Sequence, residues 1–138
     1  MVKNNIYLSI ITLSKNDNKS FSRTLKSIKS QKISFYIEWI IVDGSNYKNQ
    51  DKKANLLKRY LTKDIKNNIF INHVNSEKKK INGIYSCMNY GKSISRGKFI
   101  IFLNSGDIFF NNSSLQLLYD VSLETDQNQS LIFGQANI

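Results

Sequence analysis

Short apolar runs alternate with longer segments in which apolar residues recur every three or four positions. Ile6–Leu13, Tyr36–Val42, Ile69–Val74 and Phe99–Leu103 are the runs, rich in β-branched and aromatic residues, and each predicts a strand. Between them, Phe21, Leu25 and Ile28 mark one helix face in Ser20–Gln31, with Asn18 or Ser20 available as its cap. Ala54, Leu57 and Leu61 do the same in Gln50–Thr62. Ile84, Cys87, Met88, Gly91 and Ile94 do so in Gly83–Arg96, a helix that Gly97 would end. A fourth helix is expected at Ser114–Glu124, capped by Ser113, with Leu115, Leu118 and Ser122 along one side, and a last strand at Leu131–Phe133. Strand–helix alternation predicts an α/β fold, Rossmann-like, with a mostly parallel sheet and flanking helices. The unbroken run in Phe99–Leu103 suits a strand covered on both faces.

The strand exits are polar. Thr12 and Asn16 follow the first strand, Asp43, Gly44 and Ser45 the second, and Asn104, Ser105, Gly106 and Asp107 the fourth. In open parallel sheets ligands sit outside the carboxyl ends of the strands, so this rim suits nucleotide recognition. One carboxylate can accept hydrogen bonds from a base or ribose, and another can hold a divalent ion that neutralises a diphosphate. The same residue types also occur at strand exits simply because they make turns.

With 138 residues the chain is long enough for one domain, and 41% hydrophobic content favours a packed core over disorder. The net charge of +10 favours polyanionic partners, although the lysines are scattered and the densest cluster is only Lys78–Lys80. A single cysteine, Cys87, forms no internal disulfide and points to a reducing, cytoplasmic setting. No apolar run approaches the roughly 20 residues needed to cross a bilayer, which leaves peripheral contact as the membrane contact allowed. No G-x-G-x-x-G follows a strand, and Gly91, Lys92 and Ser93 match only the tail of a P-loop, with Ser86 where its first glycine belongs. His73 and Cys87 are expected to be structural. Basic and aromatic residues do not interleave as in an RNA-binding sheet, so no specific nucleic acid is expected.

LSIITLSKND, EWIIVDGSN, GIYSCMNYGKSISRGKFIIFLNSGD and the late LIFGQ resemble, in order and spacing, the N-terminal half of family 2 glycosyltransferases of the GT-A fold. Within that family, the bacterial enzymes of surface polysaccharide assembly are the nearest subgroup. The resemblance implies a nucleotide-diphosphate sugar as ligand, with Mg²⁺ or Mn²⁺, and a polysaccharide or lipid-linked acceptor at the inner face of the membrane. It places Thr12 and Asp43 on the base, Asn89 beside the nucleotide, Asn104 on the ribose or metal, and Asp107 on the ion.

The sequence also departs from that pattern. Ser86 replaces the acid of Y-D-A-M-N, and Lys78–Lys80 lie where a further acid is expected. Both changes make the pocket more positive. The chain ends where relatives continue, so a truncated domain is expected in which no residue is assignable as the catalytic base; Glu124 and Asp126 fall too early. An edge strand left unpaired by truncation predicts self-association. A non-catalytic binding or assembly module is the alternative reading, and a basic nucleic-acid-binding domain a third.

Overall fold

The computed structural model describes residues 5–61 and 68–125. The strand expected at Leu131–Phe133, the LIFGQ motif and Asp126 lie outside them. The elements run β1 (Ile6–Ser14), α1 (Asn18–Lys29), β2 (Tyr36–Asp43), α2 (Tyr47–Leu61), β3 (Ile69–Asn75), α3 (Ile84–Ile94), β4 (Phe99–Phe102) and α4 (Ser114–Leu123). Each expected element among the described residues is present, within three residues at either end.

The four strands form one parallel sheet in the order β3-β2-β1-β4. The chain winds outward from β1 through β2 to β3, then returns past both to place β4 on the other side of β1. The α/β fold with its mostly parallel sheet is therefore the observed one, and every strand pair described is parallel.

Side-chain alternation along each strand divides the core into two layers. Leu8, Ile10, Ile37, Trp39 and Ile41 face Phe21, Leu25 and Ile28 of α1, Leu57 of α2 and Leu115 of α4. Ile11, Ile40 and Val42 face the opposite way, against Cys87, Tyr90 and Ile94 of α3. β1 and β2 are covered on both faces, which accounts for their unbroken apolar runs.

β4 differs from the doubly covered strand that its sequence predicts. It is an edge strand among the described residues, and Ile100 and Phe102 on one side remain 37% and 39% exposed. An apolar run reports the residues' character, not whether a neighbouring layer is there to cover both faces.

The junction of α3 with β4 also departs from expectation. The helix ends at Ile94 with Ser95 as its C-cap, before Gly97. Gly97 instead permits close approach: a Cβ there would lie 2.5 Å from the Ser9 backbone nitrogen. Its own N–H donates to Ser9 Oγ at 2.8 Å, and Ser9 Oγ donates to Glu38 Oε1 at 2.6 Å. Glu38 also accepts the backbone N–H of Arg96 and, at 3.0 Å, its Nε. Burial alone would raise the Glu38 carboxyl, but the Ser9 and Arg96 hydrogen bonds and the Arg96 charge outweigh it and hold the group below its ordinary value.

Candidate functional site

A cleft of about 320 Å³ opens at the carboxyl ends of β1 and β2. Leu13, Val42, Ile81, Ile84 and Cys87 give it apolar walls. Ser14, Lys15, Ser76, Glu77 and Asn82 supply polar groups, with Gly44 and Gly83 at its margins. The β3–α3 connection and the first turn of α3 form one side. Their position follows from topology: the chain must cross from the β3 edge to β4, and α3 covers β1 and β2 on the way.

Two fully buried residues hold the strand ends that flank the cleft. Thr12 sits in the α1 layer, where its hydroxyl donates to Leu103 O at 2.6 Å and accepts from Trp39 Nε1 at 2.8 Å. It thereby ties the end of β1 to the residue that follows β4. Trp39 in turn stacks on Phe21, with ring centroids 5.5 Å apart.

Asp43 is the centre of a larger network. Its Oδ1 accepts the Ser45 N–H at 2.9 Å and lies 3.3 Å from Lys53 Nζ, while Oδ2 is 2.8 Å from His73 Nε2. Lys53 Nζ also donates to Ser45 Oγ at 2.5 Å and lies 3.8 Å from Asp17 Oδ1. Burial alone would raise the Asp43 carboxyl; the hydrogen bonds from His73 and Ser45 and the Lys53 charge hold it below its ordinary value. Asn16, with φ 54°, links the two exits by donating its N–H to Ser45 Oγ at 2.7 Å and accepting the Asn46 N–H at 2.9 Å.

The remaining expected residues are exposed. Asn89 is on the solvent side of α3, and Asn104 and Asp107 are at the two ends of the turn after β4. Asp107 N–H donates to Asn104 O at 2.9 Å, and Asp107 Oδ2 accepts the Asn104 N–H at 3.2 Å. Gly106 has φ 101°, the positive value that the third position of a type II turn requires. Ser105 N–H donates to Leu13 O at 3.2 Å, which joins this turn to a wall of the cleft. Ser105 Oγ is buried without a hydrogen-bond partner among the described residues.

None of Thr12, Asp43, Asn89, Asn104 and Asp107 lines the cleft itself; their neighbours Leu13, Val42, Gly44 and Cys87 do. Strand parity explains the first two, because Thr12 and Asp43 point into the α1 and α2 layer while Leu13 and Val42 point to the α3 side. Lys53 was not legible as a member of the site. Its signal in the sequence is its position four residues before Leu57, on the inward face of α2.

Among the described residues no group of three or more His, Cys, Asp or Glu side chains could hold a metal. One exposed carboxylate, Asp107, suits a hard cation such as Mg²⁺ or Mn²⁺ that takes its other ligands from diphosphate oxygens and water.

Solved structures with the same arrangement exist. S. aureus TarS 1-349 superposes with a TM-score of 0.66 at 20% identity, over 86% of this chain and 33% of that one. The fold is shared. The complex of TarS 1-349 with UDP-GlcNAc gives a TM-score of 0.64 at 19% identity, again over 86% of this chain and 32% of the other. WbbM, a bifunctional glycosyltransferase, gives 0.53 at 14% identity over 87% of this chain and 22% of that one. This chain thus spans about a third of the TarS 1-349 chain. No protein-family model matches the sequence, and no curated protein does.

Proposed function

We propose that the chain binds a nucleotide-diphosphate sugar in the cleft, with a divalent cation at Asp107, as the donor-binding part of a glycosyltransferase of polysaccharide assembly. The observation that carries this reading is the cleft's place, at the carboxyl ends of β1 and β2 and hydrogen-bonded through Leu13 to the Asn104–Asp107 turn. The TarS chain with which it shares its fold has been solved with UDP and with UDP-GlcNAc, which supports the same ligand class.

The apolar walls suit the faces of a planar base, and the polar groups suit its edge and the ribose. Lys15 and the start of α3, where first-turn N–H groups lack intrahelical partners, favour the negative charge of a diphosphate. Asn89 is an exposed amide available beside the nucleotide, and Asn104 one available to the ribose or to the diphosphate and its cation. Thr12 and Asp43 serve the nucleoside by fixing the strand ends around it. A cation at Asp107 would neutralise charge on the diphosphate leaving group.

In this reading the acceptor is a polysaccharide or lipid-linked sugar, met from the cytoplasmic side by a protein peripheral to the membrane. The charge of +10 suits an anionic lipid surface, and the exposed β4 face suits self-association. Among the described residues no helix is long and apolar enough to cross a membrane.

Calorimetric titration with UDP-, GDP- and dTDP-sugars, with and without Mn²⁺, tests the proposal. Binding of one donor class that Mn²⁺ strengthens and Asp107→Ala weakens is the expected result. Failure to bind any of the three overturns it.

A further inference from the structure

One side of α1 and the residues just after it carry polar groups at helical spacing: Ser20, Thr24, Ser27 and Gln31. Thr24, Ser27 and Gln31 receive the backbone that follows β4. Thr24 is fully buried; its Oγ1 accepts the Gly106 N–H at 2.9 Å and donates to Asp107 O at 2.8 Å, with Asn104 O a second acceptor at 3.4 Å. Further along, Phe109 N–H donates to Ser27 Oγ at 2.8 Å. Gln31 donates to Asn111 O at 2.6 Å and accepts the Leu115 N–H at 3.0 Å. A single buried hydroxyl therefore contacts three of the four residues of the turn that bears Asn104 and Asp107.

The exposed Asp107 side chain has little else to fix it. Its one described hydrogen bond, from the Asn104 N–H, lies within the same turn and moves with it. The attachment of that turn to the body of the protein runs through Thr24, through Ser105 N–H to Leu13 O, and through the Thr12 bond to Leu103 O. Of these, only Thr24 touches the backbone of Gly106 and Asp107.

We propose that Thr24 is a positioning residue, which sets the Asn104–Asp107 turn at the orientation in which the Asp107 carboxylate and the Asn104 amide meet the diphosphate and its cation. The proposal rests on the nucleotide-sugar reading for its ligand. Outer partners of this kind, when removed, typically lower metal affinity by roughly tenfold to a hundredfold while leaving the ligand itself in place.

The experiment compares Thr24→Val, which is isosteric but has no hydroxyl, with Thr24→Ser, which keeps it. Thr24→Ala serves should the valine strain the packing. Ser27→Ala is the control, because it removes one hydrogen bond of the same stripe away from the turn. UDP affinity with Mn²⁺, uridine affinity, and amide hydrogen exchange at residues 104–107 without ligand are measured on each. Thr24→Val is expected to lose roughly tenfold or more in Mn²⁺-supported UDP affinity, keep its uridine affinity, and lose exchange protection at Gly106. Thr24→Ser and Ser27→Ala are expected to match the unaltered chain in all three.

UDP affinity in Thr24→Val within about twofold of Thr24→Ser, or an equal loss in Ser27→Ala, overturns the proposal, since tenfold is the low end of such effects. Where the chain binds GDP or dTDP instead, that nucleotide and its nucleoside replace UDP and uridine in these measurements; if the unaltered chain binds none of the three, the nucleotide reading has failed, and exchange then decides alone. Gly106 protection retained in Thr24→Val would overturn the positioning role independently of any ligand.

Discussion

Asp43 Oδ1 lies 3.3 Å from Lys53 Nζ, and neither side chain has exposed surface. A buried ammonium and carboxylate hold one another in place only while both are present, because either alone is a charge removed from water. The pair joins the exit of β2 to α2 and, through Ser45 and Asn16, to the exit of β1.

Lys53→Met leaves the buried Asp43 carboxylate to His73 and Ser45 alone, and a loss of about 1–3 kcal/mol is expected in urea unfolding. The double variant Lys53→Met, Asp43→Asn is expected to lose less than the sum of the two single changes. A double-mutant cycle checks this, with additivity the contrary result.

Acid sensitivity follows from the same group. The Asp43 carboxyl is held below its ordinary value in the folded state, so the unfolded chain takes up a proton first as pH falls. Its contribution is complete above the unfolded value, about 3.9, and is lost as pH drops through the lower folded one. Glu38 acts in the same direction from its own unfolded value of about 4.3. Unfolding free energy should be insensitive to these two groups near neutrality and fall on acidification below about pH 4. Asp43→Asn should flatten that fall, as read from urea midpoints against pH.

Gly97→Ala tests the approach of the α3–β4 junction to β1. The added Cβ would lie 2.5 Å from Ser9 N and 2.8 Å from the Leu8 carbonyl carbon, and backbone cannot swing aside as a flexible side chain can. A loss of at least 1–3 kcal/mol, the usual cost of overpacking, is expected in thermal or urea unfolding. Gly83→Ala meets no atom within 4 Å, but its φ of 90° with ψ of 154° lies where essentially only glycine goes, which makes it a test of backbone strain, with a loss of about 1–3 kcal/mol expected.

Thr12→Val removes the acceptor for Trp39 Nε1 and the donor for Leu103 O, both deep in the sheet. Two buried polar groups left without partners predict a loss of about 2–4 kcal/mol in urea unfolding. Thr12→Ser, which keeps the hydroxyl, should recover most of it.

The architecture was legible because apolar residues dominate it. Phe21, Leu25 and Ile28 sit on one face of α1 as their spacing predicts, and the runs in β1 and β2 are covered on both sides. Polar contacts were less legible. Thr24, Ser27 and Gln31 look like a solvated helix face, and only the tertiary path of residues 104–115 turns them into partners for a backbone. Asp17, at the N-cap of α1, gives no capping bond; its Oδ1 accepts from Ser14 Oγ at 2.7 Å instead. Lys53 shows the same limit from the other side, since a lysine at an inward helix position reveals its carboxylate partners only when the strands are in place. The exits of β1 and β2 were found, but a strand exit does not disclose which of two adjacent residues, Asp43 or Val42, faces the cleft.

Cys87, the single cysteine, lines the cleft and gives the most direct test of where a nucleotide binds. The rate of its alkylation by iodoacetamide in the folded protein is measured with and without saturating UDP and Mn²⁺. UDP is expected to slow the reaction, and uridine to do so as well, because the base would cover the wall Cys87 shares with Leu13 and Val42. An alkylation rate unchanged by UDP, in a chain that calorimetry shows to bind UDP, would contradict the cleft as the nucleotide site.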